Sequence, residues 1–172
     1  GRGETYTYYG TQNLLKDGAS FPFYGKEHNR VGLWPYGITN ASDSGGNAPG
    51  YCLEPNKSMR KSTQGTFQTY NLDTDGDNLP LGLTRETAEI LWYALSSSGN
   101  FEGYQERAGK VGQGHYILGQ AATWAIMSGN WNGLEDFQNQ MEVLIANIKD
   151  PSVAVQTRGA LTQFFNQTNG AV

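Results

Sequence analysis

The chain has 172 residues and one cysteine, Cys52, in the run Gly50-Tyr51-Cys52-Leu53-Glu54-Pro55. Further along, a helix-like segment, Ile117-Leu118-Gly119-Gln120-Ala121-Ala122-Thr123-Trp124, presents a glutamine. A thiolate is a nucleophile and a carboxamide is a latent acyl group. Brought together, they can lose ammonia and join as an internal thioester, an acyl donor poised for an incoming amine. Such a bond needs a close approach and shelter from water. On a helix, Gln120 lies one turn before Trp124, so the two share a side. The small neighbours Gly119, Ala121 and Ala122 leave room for another segment, and an indole one turn on can roof the amide. Tyr51 and Leu53 flank Cys52 and can cover it from the other side.

His115 stands five residues before Gln120. An imidazole titrates in the range useful for proton transfer, which makes His115 a supporting candidate. Five residues amount to about 500° of helical rotation, so it need not share the Gln120 face. A different chemistry would use Cys52 as the nucleophile of a hydrolase or transferase, with His115 or His28 as base. Papain-like signatures around the cysteine are absent, and a strand placement forfeits the helix N-terminus that lowers a thiol pKa. A third reading is a non-covalent protein or carbohydrate binder built on exposed Tyr and Trp. A lone cysteine can also be no more than a small buried apolar residue.

The run Asp73-Thr74-Asp75-Gly76-Asp77-Asn78 alternates carboxylates in a way that can wrap calcium. Its glycine is misplaced for an EF-hand, and the twelfth position is Thr84 rather than Glu. Asp73, Asp75 and Asp77 are thus a weak metal candidate, and a solvated acidic turn is the simpler expectation. The residues call for no cofactor.

The formal net charge is -4 and the sequence pI about 5.1. No basic stripe is present, which argues against nucleic acid and anionic membrane as partners. No apolar run approaches the ~18 residues of a membrane helix. One cysteine forms no internal disulfide. Together with 23 glycines and 16% charged residues, this composition leans towards an exported protein that dispenses with disulfides. Asn40, Asn56 and Asn166 head Asn-x-Ser/Thr triplets, which are glycosylation acceptors only in a suitable host.

The chain changes character near residue 83. Before it, Tyr6-Thr7-Tyr8-Tyr9, Arg30 to Tyr36, Tyr51 to Leu53 and Thr66 to Leu72 read as short strands, with Thr39 to Gly50 as a loop. After it, helical periodicity dominates. Thr84 is an N-cap with Glu86 in the first turn, ahead of Ala88, Leu91, Trp92 and Leu95. A second helix runs from His115 to Ser128, with Gly129 as terminator. A third spans Leu134 to Lys149 with Phe137, Met141, Leu144, Ile145 and Ile148 inward. Asp150-Pro151 opens a fourth, carrying Val153, Leu161, Phe164 and Phe165. Strands first and helices after predict an α+β fold. The expectation is a single domain over 1–172, with a β-rich, sandwich- or barrel-like part over about 1–83 and a helical part over about 84–170.

Tyr-Cys-Leu followed by a helix reading x-Gln-x-Ala-x-Trp resembles the thioester domains of Gram-positive surface adhesins and pilus-tip adhesins. In that family an aromatic-Cys-aliphatic strand motif pairs with a Thr-Gln-x-Ala-aliphatic-Trp helix motif, and Ile90 to Leu95 resembles the helix between them. By resemblance Cys52 and Gln120 form the bond and Trp124 is the helix tryptophan. Gly119 departs from the usual Thr, and Thr123 from the usual aliphatic residue. The resemblance implies a covalent adhesin domain that is not a turnover enzyme. A lysine of a host extracellular protein would attack the thioester once, leaving an amide link; fibrinogen is a candidate by family analogy. It further implies a monomeric domain of a larger wall-anchored protein, on the outside of the bacterial cell.

Overall fold

In a computed structural model, the described residues are 4–8, 13–19, 32–33, 36–40, 47–51, 64–65, 78–79, 82–96 and 110–169. In the strands and at 92, 95–96, 110–111 and 169 only the backbone is described. Four helices carry the structure: α1 (Arg85–Ser96), α2 (Lys110–Met127), α3 (Leu134–Ala146) and α4 (Pro151–Asn169).

Local chemistry explains their ends. Thr84 caps α1 reciprocally: the Thr87 N–H donates to Thr84 Oγ1 at 3.1 Å and the Thr84 N–H to Thr87 Oγ1 at 3.0 Å. This is a capping box with threonine in place of the usual Glu or Gln. Helix α2 stops at Gly129, whose φ of 77° suits a residue without Cβ. There the Asn130 N–H reaches the Ala125 carbonyl (3.0 Å) and the Gly129 N–H the Ile126 carbonyl (3.1 Å), a Schellman arrangement. Asp150 caps α4 by accepting from the Ser152 N–H at 2.8 Å, with Pro151 in the first turn.

Helix α2 is the central element. Every residue from 116 to 125 is buried, the pattern of a helix enclosed on all sides. It packs against α4, α1 and α3. Its helical span starts at Lys110, well before His115. Gly112 and Gly114 read locally as breakers, but Gly114 is where α4 comes closest. A Cβ there would lie 2.7 Å from Gln156 Cβ and 2.8 Å from the Thr157 backbone nitrogen. Phe137 of α3 and Phe164 of α4 meet edge to face with centroids 5.8 Å apart. Met141, Leu144, Ile145, Val153 and Leu161 belong to the same buried core.

Helix α3 ends at Ala146, three residues short of the expected Lys149. The pattern is not at fault, since Ile148 is still buried. A distant segment takes over the backbone instead: the Lys16 N–H donates to the Asn147 carbonyl (2.8 Å), the Lys149 N–H donates to the Leu14 carbonyl (3.1 Å), and Leu15 bridges Ile148. Asn13 Oδ1 holds this segment by accepting from the Leu15 and Leu33 N–H groups at 3.1 and 2.7 Å. Leu15, Ala19 and Leu33 thereby join the helical core.

The strands are short: β1 (Glu4–Tyr8), β2 (Tyr36–Asn40), β3 (Asn47–Gly50) and β4 (Gln64–Gly65). Their backbones pair antiparallel in the order β3-β2-β1-β4, with Tyr6 opposite Ile38 and Ile38 opposite Ala48. Part of the expected loop over Thr39 to Gly50 is therefore paired. Pro49 is tolerated because β3 lies at a sheet edge, where a missing N–H leaves no ladder bond unmade.

The expected β-rich sandwich or barrel is overturned. Of the residues whose side chains are described, 69% are helical and none lies in a strand. No second sheet or closed barrel occurs among the described residues. This is a helical protein. Aromatic and β-branched runs bounded by Gly and Pro signal extended backbone, but a sandwich needs two wide apolar faces in register. Tyr-Gly-Ile-Thr-Asn and Asn-Ala-Pro-Gly cannot supply one. Among the residues whose side chains are described, the buried apolar core lies mostly on the four helices, with Leu15, Ala19 and Leu33 joining it.

Candidate functional site

Gln120 lies in the middle of α2, 1% exposed. A buried carboxamide is expensive unless its polar atoms are engaged, and Gln120 is not without a partner. Its helix neighbours on the same side are aromatic at both turns. Tyr116 precedes it by four residues and Trp124 follows by four, each about 40° around the axis from it. Both rings are buried. Because helical side chains lean towards the N-terminus, a residue covers the turn before its own Cα. Trp124 stands one turn after Gln120 on α2, and Tyr116 one turn before it.

Tyr51 meets that turn. Its ring stacks on Tyr116 with centroids 4.7 Å apart and planes inclined by 13°. It is partly buried against the helical core, and burial pushes its phenol pKa well above the ordinary value. Strand β3 ends at Gly50, so Tyr51 follows the sheet rather than lying in it. Cys52 lies outside the described residues, as do His28, Asn56, Asp73, Asp75 and Asp77. Among the described residues no group of three His, Cys, Asp or Glu side chains is suited to a metal ion. No helix among them is long and apolar enough to cross a membrane.

The positions that depart from the resembled helix motif are joined to each other: Thr123 Oγ1 donates to the Gly119 carbonyl at 2.8 Å, 1% exposed. This i to i−4 bond satisfies the hydroxyl inside the helix, so Thr123 is accommodated as a near-apolar residue.

His115 sits elsewhere. It lies about 140° around α2 from Gln120, on a different side from the aromatic pair. Its Nδ1 is buried without a hydrogen-bond partner among the described residues. Burial lowers its pKa below 6.5, so the fold holds it neutral. The unfolded chain takes up the proton first as the solution is acidified, so this histidine withdraws stability as pH falls below about 6.5. The His115→Gln variant should therefore gain on the wild type in melting temperature between roughly pH 7.5 and pH 5.5. A constant difference across that range would mean that the fold does not shift the imidazole's pKa.

The sequence singled out Tyr51, Gln120 and Trp124; Tyr116, which stacks on Tyr51, was not among its candidates. The available signal was its place four residues before Gln120, mirroring Trp124. Comparison of the chain with protein-family models, curated proteins and solved structures gives no match.

Proposed function

We propose that this chain is a covalent binding domain in which Cys52 and Gln120 form an internal thioester. The Cys52 sulfur attacks the Gln120 side-chain carbonyl carbon, the C–N bond breaks, and ammonia leaves with the thiol proton. A primary amine, a lysine of a partner protein, then attacks the same carbon. An amide forms and Cys52 is released as a thiol. The event occurs once per molecule, so the domain is a binder rather than a turnover enzyme. By the resemblance of its motifs, the partner is a host extracellular protein, with fibrinogen a candidate. The parent is a wall-anchored surface or pilus-tip adhesin.

One observation carries the reading. The stack of Tyr51 on Tyr116 ties the residue before the chain's single cysteine to the helical turn before Gln120. Burial of Gln120, and of Trp124 one turn on, supports the shelter that the bond needs. The test is the intact mass of freshly purified protein beside Cys52→Ala. A deficit of one ammonia in the wild type alone, mapped to a Cys52–Gln120 crosslinked peptide, supports the thioester. Full mass in repeated fresh preparations, with Cys52 alkylated at once, removes it.

A further inference from the structure

We infer that Asn132-Gly133, in the connection between α2 and α3, is a site of spontaneous deamidation that turns Asn132 into a mixture of aspartyl and isoaspartyl residues. The inference is independent of the thioester. Asn132 is exposed, so water and hydroxide reach it. Its Nδ2 donates to the Asn130 carbonyl at 3.3 Å, a long surface bond that water replaces at little cost. Gly133 has no Cβ to crowd the attacking nitrogen, and its φ of 99° is one that glycine adopts freely. It holds the N-cap position of α3, ahead of the helical ladder. No backbone hydrogen bond among the described residues occupies its N–H. The other Asn-Gly pair, Asn169-Gly170, starts at the last residue of α4. There the helical backbone would have to unwind before such a ring could close.

The chemistry balances with water as the sole co-reactant. The Gly133 nitrogen bonds to the Asn132 side-chain carbonyl carbon and closes a succinimide. The bond from that carbon to Nδ2 breaks, and ammonia leaves with the Gly133 proton. Water then opens the ring. Opening at the side-chain carbonyl leaves aspartate one residue before the N-cap. Opening at the main-chain carbonyl sends the backbone through the side chain and lengthens it by one carbon. The lengthened link lies between Trp131 and Phe137, whose ring centroids are 5.2 Å apart. The isoaspartyl product therefore strains the α2–α3 connection.

The experiment incubates the wild type, folded and in denaturant, at neutral and at mildly alkaline pH. Peptides spanning residue 132 are then followed by mass, with fragmentation to tell aspartyl from isoaspartyl. Asn132 should exchange ammonia for water faster at the higher pH, because the attacking nitrogen must lose its proton. The folded rate should stay within about tenfold of the denatured one, since a fold that held nitrogen and carbonyl apart would slow the closure ~100-fold or more. Such slowing, or an Asn132 no faster than Asn130, would overturn the inference. Asn132→Gln, an exposed change that enlarges the ring, should lose the modification at this position. The succinimide and the thioester share a deficit of one ammonia. In Cys52→Ala the succinimide persists and maps to residue 132, so either centre can fail without the other. The separated isoaspartyl form should melt below the unmodified chain, and an equal melting temperature would overturn the strain at the connection.

Discussion

Gln120→Asn should abolish amine capture while leaving the fold standing. In the wild type, methylamine is expected to open the thioester, leave an N-methyl amide on Gln120 and expose Cys52 to iodoacetamide. Asparagine keeps the carboxamide but withdraws its carbonyl carbon by one methylene. An approach set by two fixed elements does not stretch to follow it, and a shift of this size costs about 100-fold or more in rate. The stability loss is small by comparison, about 1 kcal/mol for one buried methylene, because Gln120 is one residue in a fully enclosed helix. The expected outcome is full chain mass, an alkylatable Cys52 and no methylamine label, with an unchanged helical dichroism. If Gln120→Asn incorporates methylamine as the wild type does, another glutamine is the acyl donor and the site lies elsewhere.

The second large effect is structural and comes as a pair of opposite sign. Gly114→Ala on α2 should destabilise by about 2 kcal/mol, since the added methyl meets the α4 backbone and overpacking of this kind costs ~1–3 kcal/mol. The contacts are 2.8 Å to the Thr157 nitrogen and 2.9 Å to the Gln156 carbonyl carbon. Neither belongs to a flexible side-chain tip, so the helices must move apart. The same substitution at Gly159, on the partner helix, meets nothing within 4 Å. It should stabilise by up to ~1 kcal/mol through helix propensity alone. In thermal melts, Gly114→Ala should fall by roughly 4–8 °C and Gly159→Ala should rise by roughly 2–4 °C. Equal shifts in one direction would show that α2 and α4 do not cross at Gly114.

Much of the candidate site was legible because its parts are local. Gln120 among small residues, with Trp124 one turn on, is a helix-surface pattern readable from spacing. Tyr51 was legible only as a neighbour of Cys52. Its partner was not, because a stack between segments so far apart in the chain leaves no periodic trace in either. His115 was close in sequence yet lies on a different side of the helix, as its 500° separation allowed.

Helix termini were readable for the same reason of locality. Thr84, Gly129 and Asp150-Pro151 act within one turn of themselves, through hydrogen bonds or a φ that the residue type alone permits. The apolar stripe of α3 likewise follows from spacing. Tertiary structure decided what spacing cannot encode. It carried α2 through Gly112 and Gly114, because α4 needs a residue without Cβ at the crossing. It ended α3 at Ala146, because Leu14 and Lys16 compete for the backbone groups of Asn147 and Lys149. It also gave the interior to helices rather than to a sandwich. Extended propensity is a property of single segments, whereas a packed core depends on apolar faces that meet, and here those faces are helical.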